Sequence, residues 1–143
     1  MTNLVASQTV AKRVQEVRKK RGLTVKQLAG RCSELGAPEL TASALYNLES
    51  GRRDGAGHRR RPVTVDELLA LAYVLSVAPI HLLVPVAGDD PTTEPYELPL
   101  SFTTSTGRAR MWIRGDEPIG QVAARDFFSE IPESEWVPPP LRP

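Results

Sequence analysis

Residues 21–51 decide how this chain folds: Arg21-Gly22-Leu23-Thr24-Val25-Lys26-Gln27-Leu28-Ala29-Gly30-Arg31-Cys32-Ser33-Glu34-Leu35-Gly36-Ala37-Pro38-Glu39-Leu40-Thr41-Ala42-Ser43-Ala44-Leu45-Tyr46-Asn47-Leu48-Glu49-Ser50-Gly51. Thr24 and Gln27 have the spacing of a capping box, in which the threonine hydroxyl and glutamine side chain satisfy each other's backbone amides. Val25, Leu28, Ala29, Cys32 and Leu35 then recur on one face at helical period. Pro38 stops continued helix. Thr41 caps a further helix that runs to Gly51, burying Ala44, Leu45 and Leu48 and leaving Ala42, Ser43, Tyr46 and Asn47 facing outward. Two short helices thus follow one another across a seven-residue break, Glu34 to Leu40.

Upstream, a helix is expected from Thr9 to Arg21, with Val10, Val14 and Val17 inward and Lys12, Arg13, Arg18 and Lys19 mostly on its other faces. Lys19-Lys20-Arg21 suit its negative dipole end, and Gly22 is a natural stop. Downstream, Arg52 to Val63 read as a basic, glycine-containing loop. A second capping box, Thr64 to Glu67, opens a fourth helix whose Leu68, Leu69, Ala72 and Leu75 are expected to face inward. Pro79 suits the first turn of a short fifth helix anchored by Leu82 and Leu83. The expected fold class is mainly α: five short helices in a compact domain, followed by a small α+β appendage.

At this point the residues resemble a known family. Arg21-Gly22-Leu23-Thr24, Gln27-Leu28-Ala29, and Thr41, Ser43, Leu45-Tyr46-Asn47-Leu48-Glu49 and Gly51 are similar to the lambda-repressor-like (Cro and XRE type) helix-turn-helix family. Pro62, Val65, Leu68-Leu69, Leu71-Ala72, Leu75, Val77 and Leu82-Leu83 continue the pattern, so the resemblance spans roughly residues 9–85. It implies that the helix from Thr41 to Ser50 enters the major groove of double-stranded DNA, with Ser43, Tyr46 and Asn47 as candidates for base contact. Asn47 has the clearest chemistry, because a carboxamide can bond an adenine edge in two places. Thr24, Lys26, Gln27 and Thr41 are the corresponding candidates for phosphate contact near the two helix starts. The chain departs from the family in two ways. Val25 stands where a glutamine often follows the cap, and both the 34–40 turn and the loop after Gly51 are longer than usual.

Charge supports a nucleic-acid reading. Residues 1–85 carry thirteen Lys/Arg against seven Asp/Glu, whereas residues 86–143 carry five against ten. Arg52, Arg53, Arg59, Arg60 and Arg61 follow directly on the proposed reading helix, where they would bind phosphates and make affinity salt-dependent. The implied function is a DNA-binding transcriptional regulator, a repressor, with no cofactor. The alternative is an antitoxin or adaptor whose rear segment binds a protein partner.

Other chemistries find no footing in the sequence. His58 and His81 stand alone without metal-ligand spacing, and Glu49 has no catalytic partner; an ion pair with an arginine of the first or second helix is expected instead. Cys32 lies on the apolar stripe, where a buried small side chain is expected. No phosphate-binding loop, dinucleotide fingerprint or nucleophile elbow occurs, so no enzyme is expected. A single cysteine, an N-terminus without signal-peptide order and no apolar run long enough for a bilayer fit a cytoplasmic protein without membrane contact.

The remainder divides into a helical domain over 1–86, a linker over 87–97 and a small acidic, proline-rich segment over 98–143. In that last segment Leu98, Leu100 and Phe102 alternate as one strand, and Ala109, Met111 and Ile113 as a second, with a turn over Thr104–Gly107. A helix from Gln121 to Ile131 would present Ala124, Phe127, Phe128 and Ile131 on one side, and the tail from Pro132 reads as extended. So small a unit must dock on the helical domain, pair with a second copy, or bind a partner protein.

Overall fold

The structure, a computed structural model, describes residues 4–51, 61–85, 94–100 and 102–136. Over these residues the chain is mainly helical, with one small antiparallel sheet. Its elements are α1 (Val5–Lys20), α2 (Val25–Glu34), α3 (Ala42–Ser50), α4 (Val65–Val74), α5 (Ile80–Leu83), β1 (Pro95–Glu97), β2 (Thr103–Ser105), α6 (Thr106–Ile113) and α7 (Ala124–Ser129), then a 3-10 turn at Glu133–Glu135.

Local chemistry fixes the helix ends. Both expected capping boxes form: Thr24 Oγ1 accepts from the Gln27 amide at 3.1 Å while Gln27 Oε1 accepts from the Thr24 amide at 2.9 Å. Thr64 and Glu67 repeat the arrangement at 3.1 and 3.0 Å. Thr41 caps α3 through the Ala44 amide. Helices α1, α2, α4 and α6 end in the same way, with the second residue beyond the helix cap reaching back five positions: Leu23 to Arg18, Ala37 to Cys32, Val77 to Ala72 and Asp116 to Met111. The left-handed residue this requires is glycine in three cases, Gly22, Gly36 and Gly115, but Ser76 in α4, at φ 57°.

Helix α1 starts four residues before the expected Thr9. Ser7, in the added turn, is buried and its hydroxyl accepts from the Val63 amide at 2.9 Å, so a tertiary contact holds a turn that lacks a side-chain cap. Two arginines assigned to outer faces of α1 are also buried: Arg13, whose Nε donates to the His81 carbonyl at 2.8 Å, and Arg18. Helix α1 packs against α3 and α5, and α2 against α3 and α4. Val14, Leu28, Leu45, Leu48, Leu71, Leu75 and Leu82 lie fully buried between them, with Cys32 as expected. Burial pushes the Cys32 thiol above its ordinary pKa, with the charge of Glu39 adding to the effect. In α4 the inward face is Leu71, Ala72, Val74 and Leu75; Leu69, expected inside, is 51% exposed and continues an outer stripe with Val65 and Tyr73.

The rear segment differs more from expectation. Part of the expected linker is strand β1, which pairs with β2 in the register Pro95–Ser105, Tyr96–Thr104, Glu97–Thr103. Leu98, Leu100 and Phe102, expected in a strand, lie between the two strands, where the Leu98 amide donates to the Phe102 carbonyl at 3.0 Å. The expected second strand is helix α6, capped by Ser105 Oγ on the Arg108 amide at 3.2 Å. Gly120 is required here: its φ is 54°, and a Cβ would come within 2.8 Å of the Phe102 ring. The expected 121–131 helix shrinks to α7, which buries no residue; Phe127 and Phe128 meet edge to face with ring centres 5.2 Å apart. In the tail, Glu133–Glu135 turn and are not extended.

Tyr96, Leu98, Ala109 and Ile119 make a second apolar cluster around Val84. Leu83 packs against both clusters, and Tyr96 Oη donates to the Leu83 carbonyl at 2.9 Å. The rear segment therefore docks on α5. Among the described residues no helix is long and apolar enough to cross a membrane, and no cluster of three or more potential metal ligands forms.

Candidate nucleic-acid interface

Helix α3 turns Leu45 and Leu48 fully inward and is fixed from behind by an ion pair. Arg18 of α1 grips Glu49 through both Nε and Nη2, at 2.9–3.2 Å, while its Nη1 donates to the Leu23 carbonyl at 2.8 Å. The two side chains are 10% and 6% exposed, so this clamp is nearly dry. It joins α1, the turn after it and α3, and it gives Glu49 the structural role expected of it.

The outer face of α3 carries the three expected base-contact candidates. Ser43 is exposed, Tyr46 is 59% exposed and Asn47 is partly so. Among the described residues, the Asn47 carboxamide meets no hydrogen-bond partner, which leaves both its donor and its acceptor available. Ala42 and Ala44 are both half-buried, so Ala42 is not free and Ala44 is not wholly inside.

At the start of α2, Thr24, Lys26 and Gln27 are exposed, and so is Thr41 at the start of α3. Thr24, Gln27 and Thr41 spend side-chain oxygens on capping, so what they offer an external anion is chiefly a pre-ordered helix terminus. Arg52, Arg53, Arg59 and Arg60 lie outside the described residues. Arg61 is held within the chain: its Nη2 donates to Glu67 Oε2 at 2.5 Å, beside the α4 capping box. Burial pushes the Glu67 carboxyl up, but the Thr64 amide and the Arg61 guanidinium outweigh it and hold the group below its ordinary value.

The sequence reading missed a second cluster of cations. Arg110 of α6 points its Nη2 at His81 Nδ1, 2.8 Å away, and Arg13 donates to the carbonyl of the same residue. His81 is held below its ordinary pKa by desolvation first and then by Arg110 and Arg13. No sequence spacing announces this meeting, because Arg13 reaches His81 through the packing of α1 on α5 and Arg110 joins them from the docked rear segment. Comparison with known protein families, curated proteins and solved structures finds no match for the chain.

Proposed function

We propose that the chain is a sequence-specific double-stranded DNA-binding regulator of the lambda-repressor-like helix-turn-helix type, acting as a transcriptional repressor and reading the major groove with α3. One observation carries the reading: α3 presents Ser43, Tyr46 and an unengaged Asn47 outward on a helix anchored from behind by the Arg18–Glu49 clamp. Buried side chains that hold a helix rigid while polar ones stay open are what base recognition needs. The basic balance of residues 1–85 and the arginine run after Gly51 supply the phosphate-binding side.

Selection of bound duplexes from a random pool by the purified chain tests this, and recovery of a defined motif is the expected result. On that motif Asn47→Ala loses about 1–3 kcal/mol of specific binding while nonspecific binding stays unchanged. Arg59→Ala weakens both and lowers the salt slope by about one unit. If no duplex is enriched at low salt, the reading fails. A second reading then leads, an antitoxin or adaptor binding a protein through 98–143; it rests on α7, where Phe128 stays exposed and no residue is buried.

A further inference from the structure

We propose that the cleft between α1 and α5, at the junction with α6, is a binding site for a small, multiply charged oxyanion such as a phosphorylated or polycarboxylate metabolite. The cleft measures about 460 Å³ and is lined by Arg13, Glu16, Lys20, Arg21, Val77 and His81. That volume lies within the range of about 300–1,000 Å³ typical of small-molecule sites. Three cations and one carboxylate line it, and a fourth cation, Arg110, lies outside the lining but bonds the ring of His81, which lines it.

The hydrogen bonding explains why an anion is the fitting occupant. Arg13 is fixed by the His81 carbonyl and by Glu16, and Arg21 by the carbonyls of Leu75 and Ser76 at 3.1 and 3.4 Å. Glu16 thus meets the charge of Arg13, whereas carbonyls position Arg21 without neutralising it. Lys20 is exposed, and Arg110 is half-buried with no carboxylate within ion-pair distance among the described residues. Desolvation and repulsion from Arg114 and Arg13 both act against the charged form of Arg110. A guanidinium gives up its proton only far above neutral pH, so the charge stays and calls for an external counter-ion. The arginine fork and lysine ammonium match phosphate and carboxylate oxygens in geometry as well as charge.

On α1 the cleft lies on a different side from the clamp that holds α3. At about 100° per residue, Lys20 stands only about 20° around α1 from Arg13, whereas Arg18, which grips α3, stands about 140° away. The inference does not depend on DNA recognition.

The test is thermal unfolding of the full chain with pyrophosphate or with succinate, against sodium chloride at equal ionic strength. At millimolar ligand the expected result is a rise of at least ~2 °C in the midpoint from one or both anions, saturating with concentration. Response to pyrophosphate alone assigns the phosphate class, and response to both assigns oxyanions by charge. Lys20→Gln and Arg110→Gln should each lose most of the shift, while Arg108→Gln, exposed on the same helix, should keep it. Should Arg110→Gln fail to fold, the exposed Lys20→Gln still decides. A shift no larger than that of sodium chloride, or one equal in all variants, overturns the proposal. So does a nil anion response with Lys20→Gln lowering the salt slope of duplex binding, which would assign the cleft to the DNA footprint.

Discussion

At the residue scale, the Arg18–Glu49 pair shows why counting ion pairs misleads. Two charges have been taken almost wholly out of water, and their attraction only offsets that cost because the guanidinium makes three bonds to the carboxylate and one to a carbonyl. Removing one partner should therefore cost far more than removing both. Arg18→Met leaves Glu49 buried and unpaired, with an expected loss of about 3–5 kcal/mol by chemical denaturation. Arg18→Met combined with Glu49→Leu should recover much of it, though the Leu23 carbonyl remains orphaned. Additive losses would mean that the clamp carries no coupling. His81 makes a different prediction. Its Nδ1 faces Arg110 and can accept only while the ring is neutral, in agreement with its lowered pKa. The unfolded chain takes up this proton near pH ~6.5, before the folded chain does, so stability falls as pH drops through that value and below. Midpoints measured between about pH 7.5 and 5.5 should fall more steeply in the native chain than in His81→Ala; parallel curves would remove His81 from the acid response.

At the scale of the element, the helix ends were legible wherever the signal was local. Thr24 with Gln27, Thr41, Thr64 with Glu67, and Gly22 each announce an end through their own hydrogen bonds or backbone freedom, and each serves as read. Where the deciding contact was remote, reading failed. The early start of α1 depends on Ser7 meeting Val63, 56 positions away. Residues 108–114 alternate like a strand, yet Ala109, Trp112 and Ile113 also have helical spacing, and all three pack in the second cluster. Ser105 as cap decides between the two periods. The outer face of α3 was legible, whereas the Arg13–His81–Arg110 meeting was not, because it belongs to docking. Ser76 is an end that local chemistry handles poorly. It occupies the left-handed position that glycine fills after α1, α2 and α6, and an L-residue there costs about 1–2 kcal/mol. Ser76→Gly should therefore raise stability by about 0.5–1 kcal/mol, since glycine's greater freedom in the unfolded chain cancels part of the relief. An unchanged or lower denaturation midpoint would show that the serine is better held than its backbone suggests.

For the molecule as a whole, the question is whether the helical head and the rear segment unfold as one. Their apolar clusters are separate, but Leu83 packs against both, Val84 is fully buried in the second, and Tyr96 and Arg110 bond directly to α5. A rear segment of one short hairpin and two short helices has too small a core to stand alone. Unfolding should thus be a single cooperative transition. The sequence supplies its own probes: both tryptophans, Trp112 and Trp136, lie in the rear segment, whereas most helical residues lie in α1 to α5. Tryptophan fluorescence therefore follows the rear segment and far-ultraviolet circular dichroism chiefly the head. In the native chain the two melting curves should coincide. Tyr96→Ala removes the ring that fills the second cluster and the bond to Leu83, at an expected cost of about 3–5 kcal/mol within that cluster. If docking couples the two parts, this single change in the rear segment should also lower the dichroism midpoint of the head. A fluorescence transition that moves alone, with the dichroism curve left in place, would mean that α5 holds the rear segment without being held by it.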